Sequence, residues 1–261
     1  MKPSLYIPSI KTRTIYNPYD GIAPVLRYNH NVDITRFKGR FWAAWNANLA
    51  AAEDVPGQFN FLSASDDFEH WTRPMRPFTS EGGAENASDD DNQWQPTLIN
   101  WKDQVLYAAW CTFTGRKVYV SESRDGVKWI NREVSPAPRA LLGKAVGFPT
   151  NHAITTSRGV LMVPCSVPYT DAARCIVGHT QYAGILMSAD GGKSWEWSEP
   201  IEALPWSAIN PGLVESNGEL CAIWEPSIWE YPDGRLGLVI RNSTSQDAPE
   251  RIDKSHYMLL Y

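Results

Sequence analysis

Three residues able to exchange protons occupy the same kind of place in this sequence. His30, His152 and Glu225 each stand just before a strand-like run, in Asn29-His30-Asn31, Thr150-Asn151-His152 and Trp224-Glu225-Pro226. Gln95 takes a fourth such place in Trp94-Gln95-Pro96. An imidazole changes charge near neutral pH, and a carboxyl group can give or take a proton once its surroundings tune it. The partner runs end in Asn46, Thr112, Ser166 and Arg241. A guanidinium at a concave mouth suits a carboxylate, which it holds through two parallel hydrogen bonds. The segment Asn46-Ala-Asn-Leu-Ala-Ala-Ala-Glu53-Asp54-Val-Pro-Gly-Gln58 adds two carboxylates. A polar set converging on one mouth signals a binding site. The competing reading is a wet central channel whose lining groups bond to one another and to solvent.

The elements that must position these residues form a repeat. Ser188 to Trp195 reads SADGGKSW and fits the pattern Ser-x-Asp-x-Gly-x-Ser/Thr-Trp, an Asp box. The Asp accepts nearby backbone N–H groups and closes a tight turn. The Gly supplies a positive φ, and the Trp folds back to bury a large apolar area. Ser123 to Trp129, SRDGVKW, is the same device with one residue fewer, and Ser65 to Trp71, SDDFEHW, is a copy without Gly. A recurrence of about 60 residues, carrying several strands, marks a β-propeller or similar array.

Each unit reads as four strands, A to D from the axis outward. In the first, A is 32–37, B is 40–46, C is 58–64 and D starts at Trp71. The second has 96–101, 104–111 and 117–122; the third 153–157, 160–166 and 182–188; the fourth 227–231, 235–241 and 256–261. Residues 4–16 read as an isolated strand, and 212–224 as an additional hairpin. In an up-and-down blade the starts of A, the ends of B and the B–C and D–A loops share one face. His30, Gln95, His152 and Glu225 are then expected at equivalent points beside the axis, with the Asp boxes on the opposite face. The fold expected is all-β: a propeller of four-stranded antiparallel blades, about four of them, in one domain spanning 1–261. The last C strand stops where a fourth Asp box should come, so a piece of a six- or seven-bladed propeller is expected, its missing blade completed by the N-terminal strand. A complete four-bladed protein is the alternative.

Composition narrows the partners. The chain has 261 residues, a net charge of −5 and 43% hydrophobic residues, an ordinary globular balance. Mild acidity argues against nucleic acid, and no apolar run approaches the roughly 20 residues of a membrane span. The start, MKPSLYIPSI, lacks the apolar core of a signal peptide; the protein is expected in the cytoplasm, or outside it with a leader not included here. Most of the 12 Trp and 11 Tyr are read as blade packing, some as platforms for sugar rings. Cys111, Cys165, Cys175 and Cys221 show no metal-binding spacing and read as buried thiols, a Cys165–Cys175 disulfide being the less favoured option. No cofactor is expected. The acidic loop EGGAENASDDDNQW reads as solvated, with a structural calcium ion as the alternative. His70, His179 and His256 read as structural or exposed.

SADGGKSW, SRDGVKW and EPSIWEYPDGRLGLVIRN (Glu225 to Asn242) resemble the sialidase superfamily of β-propellers. The resemblance implies a Glu opening one strand and an Arg closing the next, places held by Glu225 and Arg241. Tyr6 in YIPSI stands where sialidases carry an Arg, which argues against sialic acid. NHNVDITRFKGRFWAAWN, EDVPGQ and QWQPTLI are similar to a branch acting on terminal rhamnose linked to glucuronic acid, as hydrolases or lyases. For that branch the resemblance implies an axial His, matched by His30 or His152. The expected function is an exo-glycosidase acting on an acidic glycan. A hydrolase would use Glu225 with Glu53 or Asp54, or a His in place of one of them. A lyase would use His30 or His152 as base while Arg241 holds the uronate, with Gln95, Asn46, Glu53 and Asp54 around the substrate. A glycan-binding propeller without turnover is the third reading.

Overall fold

The computed structural model describes residues 10–21, 25–53, 55–79, 92–112, 117–134, 148–168, 181–199, 201, 222–243 and 258–259. Among the described residues there are fifteen strands and no helix. The strands form four successive antiparallel sheets, the blades of a β-propeller. Blade 1 holds β1 (Tyr28–Phe37), β2 (Arg40–Asn48) and β3 (Phe59–Ser65). Blade 2 holds β4 (Gln93–Trp101), β5 (Val105–Thr112), β6 (Val118–Ser123) and β7 (Ile130–Val134). Blade 3 holds β8 (Phe148–Pro149) and β9 (Ile154–Thr155), both on β10 (Leu161–Pro168), then β11 (Gln181–Ser188) and β12 (Glu196–Trp197). Blade 4 holds β13 (Ala222–Glu230), β14 (Leu236–Ser243) and β15 (Met258–Leu259).

The second strands of blades 1 to 3 are largely buried because their faces pack against a neighbouring blade or, in blade 1, against Leu26, Ile15 and Tyr16. In β2, Trp42 and Ala44 meet Leu98, Leu106, Ala108 and Trp110 of blade 2, while Trp45 and Ala47 turn to Leu26, Phe59 and Phe61. The 2–3 seam joins Ala109, Cys111 and Val120 to Leu161, Val163 and Cys165, and the 3–4 seam joins Ala183 and Ile185 to Ile228, Leu238 and Ile240. Cys111 and Cys165 are free buried thiols, pushed to higher pKa by burial in this apolar seam. Cys175 and Cys221 lie outside the described residues.

Three Ser-x-Asp turns link the third and fourth strand positions. In each, the Ser Oγ accepts a backbone N–H three or four residues on, from Phe68, Gly126 or Gly192. The Asp accepts the two that follow: Glu69 and His70 for Asp67, Val127 and Lys128 for Asp125, Lys193 and Ser194 for Asp190. The glycines are needed for more than their φ of +77° and +91°. A Cβ at Gly126 would overlap the indole of Trp42, and one at Gly192 the ring of Tyr107, aromatic residues of the preceding blade. The blade 1 turn has Phe68 at this place with φ 65°. Its ring packs edge-on against Phe41 and Trp71 instead.

Several expected elements differ. Residues 10–16 form no strand; Ile15 and Tyr16 pack on the outer face of blade 1, and Tyr16 Oη accepts the Leu26 N–H. Blade 1 has no regular fourth strand near Trp71, only bridges from Ser65 to Trp71 and Leu62 to Met75. The innermost strand of blade 3 is broken into β8 and β9 around Thr150 to Ala153. Of the hairpin expected at 212–224, 222–224 belong to β13 and the rest lie outside the described residues.

Candidate active site

One backbone feature organises the axial end of every blade. Asn31, Gln95, Asn151 and Glu225 all have positive φ, at 53°, 41°, 53° and 49°. In β1, β4 and β13 that residue lies in a β-bulge, between His30 and Asp33, Trp94 and Thr97, and Trp224 and Ser227. Asn151 occupies the break between β8 and β9. A bulge inserts a residue and re-aims the side chains around it. The expected equivalence of His30, Gln95, His152 and Glu225 is therefore corrected. Gln95 and Glu225 share the bulge position with Asn31 and Asn151; His30 comes one residue before it and His152 one after. The partner register also shifts: Asn46 faces His30, Arg241 faces Trp224, and Cys111, not Thr112, faces Trp94.

The bulges are strapped to one another around the axis. Thr97 Oγ1 donates to the Asn151 carbonyl, and Asn151 Nδ2 to the carbonyls of Glu225 and Pro226. The Glu225 N–H donates to Ser166 Oγ at 2.7 Å. Asp33, two residues past Asn31, ties three blades together. Its carboxylate accepts the N–H of Leu98 in blade 2 at 2.7 Å and of Ile34 at 2.9 Å, and its Oδ1 lies 2.7 Å from Nδ1 of His152 in blade 3. The Asp33 side chain is 9% exposed and the His152 ring 60%.

This pair has the form of an acid–base unit. The buried carboxylate accepts Nδ1–H, which fixes the tautomer and leaves Nε2 to take or give a proton. The hydrogen bond to Asp33, reinforced by its charge, raises the His152 pKa above 6.5 against the opposing effect of burial. Sequence reading missed Asp33. The available signal was a carboxylate where blades 2 and 4 carry Thr97 and Ser227 after their bulges.

A second cluster lies ahead of the β1 bulge. Nδ1 of His30 is 2.8 Å from the Tyr28 hydroxyl and 3.1 Å from Oε1 of Glu53. The other expected residues are placed differently. Asn46 is fully buried between His30 and Asn60 in the pairing register, and Gln95 is 6% exposed. Both amide atoms of Asn46, Oδ1 of Asn60, Oε1 of Gln95 and Nδ2 of Asn31 have no hydrogen-bond partner among the described residues. Glu225 is half-buried. The backbone of Arg241 pairs with Trp224, the residue before Glu225, but the Arg241 side chain, like Asp54, lies outside the described residues. No group of three or more His, Cys, Asp or Glu able to hold a metal occurs among the described residues. The acidic loop, where calcium was the alternative, lies outside them from 80 to 91, as do His179 and His256. His70 is exposed and pairs with Asp67 at 2.7 Å.

No protein-family model and no curated protein matches the chain. Solved structures do. A protein of unknown function from Dyadobacter fermentans DSM 18053 matches with a TM-score of 0.63 and 16% identity, over 84% of this chain and 63% of that one. Trypanosoma rangeli sialidase in complex with sialic acid matches with 0.55 and 16%, over 84% and 34%. The endo-arabinase of Bacteroides thetaiotaomicron VPI-5482 matches with 0.51 and 13%, over 88% and 74%. The fold is a sialidase-like β-propeller. The chain spans less than two thirds of the length of the first two neighbours.

Proposed function

We propose that this chain carries the axial part of a glycan-cleaving enzyme that removes a terminal sugar from an acidic glycan, with His152 as its principal acid–base group. The observation that carries the proposal is the 2.7 Å contact from Nδ1 of the exposed His152 to the buried Asp33. A channel lining needs no imidazole oriented by a buried carboxylate, whereas proton transfer does. In hydrolysis His152 takes the proton of the attacking water. Glu225 lies in the bulge of β13 in blade 4, and Arg241 would hold the carboxylate of the sugar. The fold neighbours and the three Asp boxes support a carbohydrate substrate, and the phrases shared with rhamnosyl-glucuronate enzymes suggest that linkage.

Elimination is the second reading, favoured by the same pair. A lyase needs one base for the proton beside a uronate rather than two carboxylates flanking the bond, and His152 supplies one. The test is incubation of the full-length protein with acidic oligosaccharides, including one ending in rhamnose on glucuronate. A hydrolase releases a reducing sugar and a lyase an unsaturated one that absorbs in the ultraviolet. Binding without either product would establish a glycan-binding propeller. Full activity in both His152→Ala and Asp33→Asn would remove the pair from the mechanism.

A further inference from the structure

We propose that Tyr28 is the proton donor to the departing oxygen, with His30 and Glu53 as the groups that position and recharge it. This rests on the reading of the mouth as a glycan-cleaving site in which His152 takes a proton. Tyr28 and His30 are two residues apart on β1, so their side chains leave the same face of the strand. The phenol ring stands edge-on to the imidazole, with centroids 5.8 Å apart and planes at 68°. The His30 side chain is 51% exposed and that of Glu53 36%, so the cluster opens to solvent at the axial end.

The chemistry follows from one nitrogen facing two oxygens. Nδ1 of His30 has either a proton or a lone pair, and both the Tyr28 hydroxyl and Glu53 Oε1 are within 3.1 Å of it. A carboxylate only accepts hydrogen bonds. Glu53 therefore selects the tautomer with Nδ1–H, and the phenol oxygen lies against that same N–H. Toward His30 the phenol oxygen is then the acceptor.

As the bond to the departing oxygen breaks, its electron pair stays on that oxygen and the Tyr28 proton moves onto it. The phenolate left behind is stabilised by Nδ1–H and takes up that proton while Nε2 accepts one from solvent; exchange with solvent then restores the Nδ1–H tautomer that Glu53 favours. Glu53 stabilises the imidazolium whenever the ring carries both protons. His152 takes one proton, from water in hydrolysis or from the carbon beside the uronate in elimination. One proton is removed and one delivered in either case. β1 serves both sides of this exchange: Tyr28 and His30 precede its bulge and Asp33 follows it.

The test uses the full-length protein and its cleaved oligosaccharide, beside the same sugar carrying a nitrophenoxide leaving group, which departs without protonation. Tyr28→Phe is expected to lower kcat by about 10²-fold or more on the oligosaccharide and by less than about tenfold on the nitrophenyl compound. Glu53→Gln should show the same leaving-group dependence with a smaller loss, and it carries the test if the Tyr28 variant does not fold. Equal losses on both substrates, or none, would overturn the role of Tyr28 while leaving His152 in place. Absence of turnover by the wild-type protein on every glycan would overturn both readings together.

Discussion

Asp33 and His152 are 119 positions apart in sequence, yet Oδ1 of one lies 2.7 Å from Nδ1 of the other. The contact joins the inner strand of blade 1 to the break in blade 3, and Leu98 of blade 2 donates its N–H to the same carboxylate. Asp33→Asn keeps the shape and an acceptor for Leu98, but it removes the charge and no longer dictates which ring nitrogen of His152 carries the proton. Turnover is expected to fall about 10²-fold or more, and the melting temperature to fall as well, because the amide nitrogen that replaces Oδ1 cannot accept from Ile34 or His152. Kinetics alongside nitrogen NMR of the imidazole check this; wild-type turnover together with an unchanged tautomer would show that the carboxylate only holds the blades together.

The same pair sets a pH dependence. The folded-state pKa of His152 lies above the ordinary 6.5, chiefly because Nδ1 donates to Asp33. A group raised on folding contributes stability that is fully present below its unfolded pKa and is lost as pH rises through the folded value. The melting-temperature advantage of wild type over His152→Ala should therefore be largest below about pH 6.5 and shrink above it. The ring is more than half exposed, so the change is modest. An advantage that grows with pH would contradict the ion pair.

The strands and the turns were legible in the sequence because each obeys a local rule. Asp125 and Asp190 close turns as SRDGVKW and SADGGKSW imply, and β2, β5, β10 and β11 fall within two residues of the expected runs. The site was legible only in outline. His30, His152 and Glu225 do stand near the bulged ends of inner strands, but each has a different offset from the positive-φ residue. A bulge is set by cross-strand pairing, which a list of strand starts does not contain. Asp33 sits in NHNVDITRF as one polar residue of an alternating strand, and only the closure of three blades around the axis brings it to His152. Residues 10–16 of the expected N-terminal strand form no strand for a related reason, residues 4–9 lying outside the described residues. Ile15 and Tyr16 are apolar because they cover blade 1, a need met without strand pairing.

The turn carboxylates make a second pH prediction, of opposite sign. Asp190 is held below its ordinary pKa of 3.8 by hydrogen bonds from the Ser194 hydroxyl and N–H, then from Ser188 and the Lys193 N–H, and Asp125 by the N–H groups of Lys128 and Val127. A carboxyl depressed on folding contributes stability that is present above its unfolded pKa and lost as pH falls through the lower folded value. Asp125→Asn and Asp190→Asn should lower the melting temperature near neutral pH, and their gap to wild type should shrink progressively as pH falls below the ordinary carboxyl value of 3.8. Melting curves across pH 2 to 7 measure this; a constant gap at every pH would mean that charge plays no part in closing the turn.

Gly39 and Gly126 separate backbone strain from packing. Their φ angles nearly coincide, at +80° and +77°, but a Cβ at Gly39 meets nothing within 4 Å, while one at Gly126 overlaps the Trp42 indole. Gly39→Ala should then cost only the left-handed backbone penalty, about 1–2 kcal/mol. Gly126→Ala adds to that the displacement of a 2% exposed indole from the seam between blades 1 and 2, a further 1–3 kcal/mol on the scale of overpacked cores. Denaturant unfolding should therefore rank the variants with Gly126→Ala below Gly39→Ala by more than about 1 kcal/mol. Combining Gly126→Ala with Trp42→Phe should add less destabilisation than the two changes cause separately, because the smaller ring leaves room for the methyl group. Equal costs at the two glycines would mean that the turn presses on the preceding blade more loosely than the contact with Trp42 requires.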